Sequence, residues 1–190
     1  MSVTSIAVVR ARAREHALRY RLLVMTPTAA QAVCEAGGWL FDRVMAGWDV
    51  TVLTAAAADP GAMPIRILGA DVVRLADFVR IHRSAPAPQG IAVIGDVCGS
   101  SAPAGRMVAE RLDAGDCEIT VIGGGDARLD HLSDTIDYRP SAAAQAFKRY
   151  ALAQSTQPRE APLDREQLRR TGTAVPTILP AERTRRARVR

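Results

Sequence analysis

The stretch GIAVIGDVCGSSAPAGRMVAERLDAGDCEITVIGGGD (residues 90–126) gives the clearest folding signal in the chain. It begins and ends with a continuous apolar run, and each run is typical of a buried strand. Between them, Ser100 or Ser101 offers a helix N-cap and Gly115 offers a helix end. The order strand, helix, strand predicts a βαβ unit, because neighbouring parallel strands need such a crossover.

Upstream of this unit, RYRLLVMTP (19–27) and DVTVLTA (49–55) have the composition of two more buried strands. The residues between them show helical spacing of apolar side chains, but Gly37 and Gly38 interrupt the pattern. Each glycine costs about 1 kcal/mol in a helix interior. Either the helix begins near Gly38, or another part of the chain packs closely against the two glycines.

Residues 59–75 allow two interpretations. In one, PIRILG (64–69) is a strand and a helix follows it. In the other, a short helix ends at Gly69 and DVVRL is the strand. The second is favoured, since Asp59 and Pro60 make a suitable helix start.

Near-continuous apolar strands that alternate with amphipathic helices predict an α/β fold. We expect a doubly wound, Rossmann-like and mainly parallel sheet of 4–5 strands with helices on both faces, over residues 18–154. A helix at 141–154 is the last predicted element. Residues 1–17 are predicted to be a basic N-terminal extension, and residues 155–190 an Arg-rich and disordered tail.

Charge is concentrated at the ends of the chain. Residues 155–190 hold nine Arg and four acidic residues, and this excess of positive charge equals the net charge of +5 of the whole chain. A basic chain is therefore weak support for a nucleic-acid-binding fold, whose basic face normally lies on the domain itself. The three cysteines are widely spaced, which favours neither a zinc site nor a disulfide framework. The apolar runs are too short for a membrane span. A cytoplasmic location is therefore expected.

Loops at the carboxyl ends of the strands are where such sheets bind ligands. Glycine and hydroxyl residues are common in these loops, and helix N-termini beside them suit an anion. The candidate ligand-binding residues are Thr26, Thr28, Asp96, Ser100, Ser101, Gly123, Gly124, Gly125 and Asp126.

No complete catalytic or nucleotide-binding motif accompanies these loops, and the cofactor, if any, is unknown. Cys98 precedes a helix and would be a nucleophile if His82 or His131 acted as its base. A structural role is favoured for this cysteine. Asp126, Asp130 and His131 resemble solvated loop charges more than a metal or acid/base cluster, so no catalytic or metal-binding residue is predicted.

Three classes of function remain. The first is a non-catalytic or regulatory domain that binds a small anionic ligand or a protein partner. The second is a small enzyme acting on a nucleotide, a phosphorylated compound or a sugar. The third is a nucleic-acid-associated protein that acts through its basic tail. The first is preferred, because loops suited to binding are present without a catalytic constellation.

Overall fold

The computed structural model describes residues 19–56, 62–81, 87–123, 129, 133–155 and 162–171 of the chain. The strands are β1 (Arg21–Thr26), β2 (Asp49–Thr54), β3 (Asp71–Arg74), β4 (Gly90–Ile94), β5 (Glu118–Ile122), β6 (Ser133–Tyr138) and β7 (Glu166–Thr171). The helices are α1 (Ala29–Met45), α2 (Ala62–Ile67), α3 (Leu75–Ile81), α4 (Val97–Ser100), α5 (Ala102–Ala114) and α6 (Ala142–Ala153).

The described strands form one seven-stranded sheet in the order β3-β2-β1-β4-β5-β7-β6. The first five in this order are parallel, and β7 is antiparallel to both of its neighbours. Val24 of the central strand pairs with Val52 on one side and with Ala92 on the other. The α/β class predicted from the sequence is confirmed, but the expected mainly parallel sheet of 4–5 strands is a mixed sheet of seven, in which β6 and β7 add antiparallel pairings to five parallel strands.

Helices cover both faces of this sheet. Because successive side chains of a strand point to opposite faces, β1 contributes Leu22 and Val24 to one core and Leu23 and Met25 to the other. Residues of α1, α2 and α6 complete the first core. Residues of α3, α4 and α5 complete the second.

The two glycines of α1 are sites of close packing. The helix runs without a break from Ala29 to Met45, so it does not begin near Gly38. A Cβ at Gly38 would lie 2.6 Å from two side-chain carbons of Pro140. Another part of the chain therefore packs closely against the glycines, as the second explanation for Gly37 and Gly38 predicted. A larger residue at position 38 would prevent this contact, and the contact offsets the cost of glycine in a helix.

The ambiguous region from residue 59 onward resolves as the favoured interpretation predicts. α2 ends just before Gly69, which has a φ of +81°, and β3 follows it. A positive φ is readily adopted only by glycine, so Gly69 is suited to separate the helix from the strand. Asp59 and Pro60 themselves lie outside the described residues.

The sheet extends past residue 154, the predicted end of the domain, because β7 adds to it. β7 lies within the segment 155–190 that was expected to be a disordered tail, and its Leu168 is buried between Ile122 and Ile136 of the neighbouring strands. One buried leucine among charged residues gives only a weak sequence signal for a strand. The strand forms because it pairs with β5 and β6, which are distant in the sequence. Residues 1–18 and 172–190 lie outside the described residues.

No helix in the described part of the chain is long and apolar enough to cross a bilayer. The cytoplasmic location stays a prediction.

Candidate functional site

The start of α1 crosses the carboxyl ends of β4 and β5. Gln31 and Glu35 lie one turn apart on this helix, and Gln31 Nε2 donates a hydrogen bond of 2.8 Å to Glu35 Oε1. Gly95 follows β4 and Gly123 follows β5, and the N–H of Gly95 donates to the carbonyl of Ile122 at 3.0 Å. The two strand ends are thus joined directly beneath a pair of polar side chains.

Both glycines are required by their backbone and by the space above them. Their φ values are +58° at Gly95 and +73° at Gly123, in the left-handed region that other residues rarely adopt. A Cβ at Gly95 would overlap Gln31 Nε2, and a Cβ at Gly123 would overlap Glu35 Oε2. The first glycine of the GGG stretch is therefore more than a flexible strand exit, since it admits a carboxylate to the end of β5.

A cavity of about 470 Å³ opens beside this carboxylate. Its volume falls in the range of roughly 300–1,000 Å³ that is usual for small-molecule sites. One wall comes from α1 and the end of β5, and the other from the segment leading into β7. The lining residues are Cys34, Glu35, Ile122, Gly123, Pro162, Asp164, Arg165, Glu166 and Gln167.

A buried ion pair adjoins the cavity through Glu166, which is one of the lining residues. Lys148 Nζ and Glu166 Oε1 are 2.7 Å apart, and both side chains are almost fully inaccessible to solvent. Glu166 also accepts hydrogen bonds of 2.8 Å from the backbone N–H groups of Gly38 and Trp39. Since an isolated buried carboxylate is strongly disfavoured, these donors explain how it is tolerated.

The two candidate threonines after β1 have local structural partners. Thr26 is fully buried, and its hydroxyl donates to the carbonyl of Thr28 at 2.9 Å. The Thr28 hydroxyl accepts from the N–H of Gln31 at 3.2 Å, so it caps α1. Both hydroxyl groups thus stabilise the entry to the helix that bears Glu35.

The candidates after β4 do not line the cavity. The Ser100 hydroxyl donates to the backbone carbonyl of Asp96 at 2.6 Å, which closes the short helix α4. Ser101 occupies the N-cap position of α5, as predicted, but its side chain makes no capping hydrogen bond. The Asp96 side chain is exposed and packs against Gly99.

Gly123 is the one candidate after β5 within the described residues, and it belongs to the cavity wall. Its carbonyl accepts a hydrogen bond of 2.8 Å from Arg169 Nη2 of β7. Gly124, Gly125 and Asp126 lie outside the described residues, so their role as ligand-binding residues stays a prediction.

Of the residues considered for catalysis, only Cys98 lies in the described part of the chain. Cys98 is buried in the second core, which agrees with the structural role favoured for it. His82, Asp130 and His131 lie outside the described residues. Within the described ranges, no group of three His, Cys, Asp or Glu side chains is arranged to hold a metal ion.

Sequence reasoning missed Glu35, Gln31 and the wall formed by residues 162–167. Glu35 lies within a helix, whereas the sequence directed attention to loops. Its proximity to Gly123 bridges 88 positions of the chain, and the second wall lies in the segment read as a tail. The spacing of Gln31 and Glu35 at i and i+4 predicts that they are neighbours on α1, but it does not indicate that they lie near Gly123.

The arginines counted in the predicted tail are partly structural. Arg169 bonds to Gly123, and Arg170 forms a salt bridge of 3.2 Å with Glu118. The nucleic-acid hypothesis therefore rests on the other seven of the nine arginines, five of which lie beyond residue 171, and stays a prediction. Binding of an anionic ligand or a protein partner also stays a prediction.

Several solved structures share the fold of this chain. A deacetylase in complex with teicoplanin, from the teicoplanin biosynthesis pathway, superposes with a TM-score of 0.56 at 12% identity and covers 79% of this chain and 97% of its own. A triple mutant of a deacetylase from that pathway gives a TM-score of 0.55 at 15% identity with the same coverages. A zinc-inhibited teicoplanin deacetylase gives 0.51 at 12% identity, over 69% of this chain and 82% of its own. Neither a protein-family model nor a curated protein sequence matches the chain.

These comparisons correct the preferred expectation of a non-catalytic or regulatory binding domain. The fold is shared with chains that are enzymes, and the second class, a small enzyme acting on a nucleotide, a phosphorylated compound or a sugar, agrees better with them. The absence of a recognisable catalytic motif was the reason for the first preference. That search was confined to loops, whereas the Glu35 carboxylate lines the cavity from inside a helix.

Proposed function

We propose that the chain is a small enzyme that removes an N-acyl group from a sugar-containing substrate by hydrolysis of the amide bond, with Glu35 as general base. The observation that carries the proposal is the Glu35 carboxylate on the wall of a 470 Å³ cavity at the carboxyl ends of the strands. Ligands of open α/β sheets bind at this edge. The fold shared with deacetylases supports the choice of reaction class.

The chemistry assigned to Glu35 is the activation of water. The carboxylate takes a proton from a water molecule while the water oxygen forms a bond to the acyl carbon. The C–N bond then breaks, and the proton passes to the departing amine. Gln31 is suited to orient the base, since its Nε2 group fixes one carboxylate oxygen by a hydrogen bond of 2.8 Å.

The opposite wall provides polar groups for a sugar. Asp164, Arg165 and Gln167 are exposed side chains of the segment that leads into and begins β7. Carboxylate, guanidinium and amide groups form hydrogen bonds with hydroxyl groups, as donors or as acceptors. Pro162, which is exposed, supplies apolar surface for the less polar face of a sugar ring.

The test is release of acetate by the purified full chain from N-acetylglucosamine and its short oligomers. We expect the Glu35→Gln variant to lose activity by about 100-fold or more, as is usual for removal of a general base. The matched control is Glu110→Gln, an exposed carboxylate on α5, which should leave the rate unchanged. Full activity in the Glu35→Gln variant, or no acetate release from any of these substrates, would overturn the proposal.

A further inference from the structure

Lys148 is the single lysine of the chain and lies where three segments meet. Its side chain is completely buried on α6. The Nζ group donates to Glu166 Oε1 at 2.7 Å and to the carbonyl of Pro162 at 3.0 Å. Both acceptors belong to residues of one cavity wall.

The ion pair also reaches the other wall. The Glu166 carboxylate accepts from the N–H groups of Gly38 and Trp39 in the middle of α1. Residues four positions apart in an α-helix lie about one turn apart, so Gly38 and Trp39 are one turn beyond Cys34 and Glu35. Glu166 is therefore attached to the turn that directly follows Cys34 and Glu35.

The two glycines of α1 make room for this connection. A Cβ at Gly37 would lie 3.1 Å from Lys148 Cγ, and a Cβ at Gly38 would lie 3.1 Å from Glu166 Oε1. These distances are shorter than ordinary carbon contacts. The Gly37–Gly38 pair thus admits both members of the ion pair to the surface of the helix.

We propose that Lys148 is the positioning residue of the cavity: through Glu166 and Pro162 it holds the 162–167 wall against the helix turn that bears Cys34 and Glu35. Its catalytic consequence rests on the proposed function, whereas its geometric part does not. If Lys148 is made neutral, Glu166 is left as a buried unpaired carboxylate. That carboxylate gains hydration where the cavity admits water, and the two walls separate.

The reactivity of Cys34 measures the separation of the walls without any assumption about the substrate. Cys34 is partly exposed and lines the cavity, whereas Cys98 and Cys117 are buried. The full chain and its Lys148→Met variant, which keeps the length of the side chain, are treated with the thiol reagent DTNB. Arg149→Met is the matched control, because Arg149 is the next residue of α6 and is exposed.

We expect Lys148→Met to accelerate the labelling of Cys34 by about tenfold or more, with one thiol reacting per chain. Arg149→Met should label at the rate of the unmodified chain. An unchanged Cys34 rate in Lys148→Met would overturn the proposal, and so would equal acceleration of all three thiols, which indicates general unfolding. If Lys148→Met does not fold, the variant Lys148→Met/Glu166→Gln buries no unpaired charge but still lacks the two hydrogen bonds of Nζ that attach the 162–167 wall to α6. Faster labelling of Cys34 is expected there too, and an unchanged rate would overturn the proposal.

The turnover assay separates this inference from the proposed function. If acetylated sugars are hydrolysed, Lys148→Met should lower kcat by about tenfold or more, because a misplaced base loses rate steeply. Arg149→Met should keep the original kcat. If none of the sugars is hydrolysed, the proposed function fails while the labelling contrast still decides the role of Lys148.

Discussion

Glu35 Oε2 occupies the space in which a side chain at position 123 would begin. Gly123 therefore has two independent reasons to be glycine, its φ of +73° and the carboxylate above it. Gly115 has only the first, since its φ is +64° and nothing lies within 4 Å of its Cβ position. The two positions form a natural pair for comparison.

We predict that Gly115→Ala lowers the free energy of unfolding by about 1–2 kcal/mol, the cost of a left-handed backbone for alanine. Gly123→Ala should lower it further, because Glu35 must also move. Urea denaturation of the two variants measures the difference. Adding Glu35→Ala to Gly123→Ala should recover the excess, and equal losses in the two single variants would contradict the close approach.

The Glu166 carboxylate should be a major contributor to stability. Glu166→Ala removes the partner of buried Lys148 and the acceptor of two helix N–H groups, so we predict a loss of about 3–5 kcal/mol in the free energy of unfolding. Chemical denaturation followed by circular dichroism measures it. Asp116→Asn, which breaks an exposed pair with Arg111, should cost less than about 1 kcal/mol. Similar losses in both variants would mean that the buried bonds of Glu166 to Lys148 and α1 contribute no more to stability than an exposed ion pair.

Asp42 should stabilise the attachment of α6 and β6 to α1. Its carboxylate accepts from the Tyr138 hydroxyl at 2.7 Å and from the Ser141 hydroxyl at 2.6 Å. We predict that Asp42→Ala lowers the free energy of unfolding by about 1–2 kcal/mol, because these donors lose their acceptor. Thermal and urea unfolding measure it, with the exposed Asp113→Ala as control. No difference between the two variants would show that solvent replaces Asp42 without penalty.

Cys117 should make the protein less stable at high pH. Burial, together with the neighbouring Asp116, raises the pKa of the Cys117 thiol from 9.0 to about 11. Between these values the unfolded chain releases the thiol proton while the folded chain keeps it. The free energy of unfolding therefore falls as the pH rises from about 9 to about 11.

A Cys117→Val variant should show a flatter pH dependence over this window. The measurement is urea denaturation at several pH values, with the unmodified chain as reference. Burial raises the pKa of Tyr20 to about 12, with Glu118 and Cys117 as smaller causes, so slopes are compared only up to about pH 11, below the range in which Tyr20 ionises. Identical slopes for the two chains would show that Cys117 does not titrate differently on folding.

The sequence predicts the five parallel strands because each is a short apolar run with helices or turns around it. It does not predict β6 or β7, whose residues are mostly polar and whose place depends on antiparallel pairing such as Ile136 with Leu168. The candidate site is predicted only as an edge of the sheet. Its carboxylate, Glu35, and its second wall, residues 162–167, are brought close to Gly123 by the tertiary fold. No local sequence pattern of α1 indicates this proximity.

β7 is the last described strand along the chain, yet it lies between β5 and β6. On the ribosome, β6 therefore emerges before the only described strand with which it pairs. Until residue 171 has left the exit tunnel, β5 presents an open edge to which strands of other nascent chains can add. We expect this interval of translation to be when the chain depends most on chaperones, and rare codons before residue 166 to reduce its soluble yield.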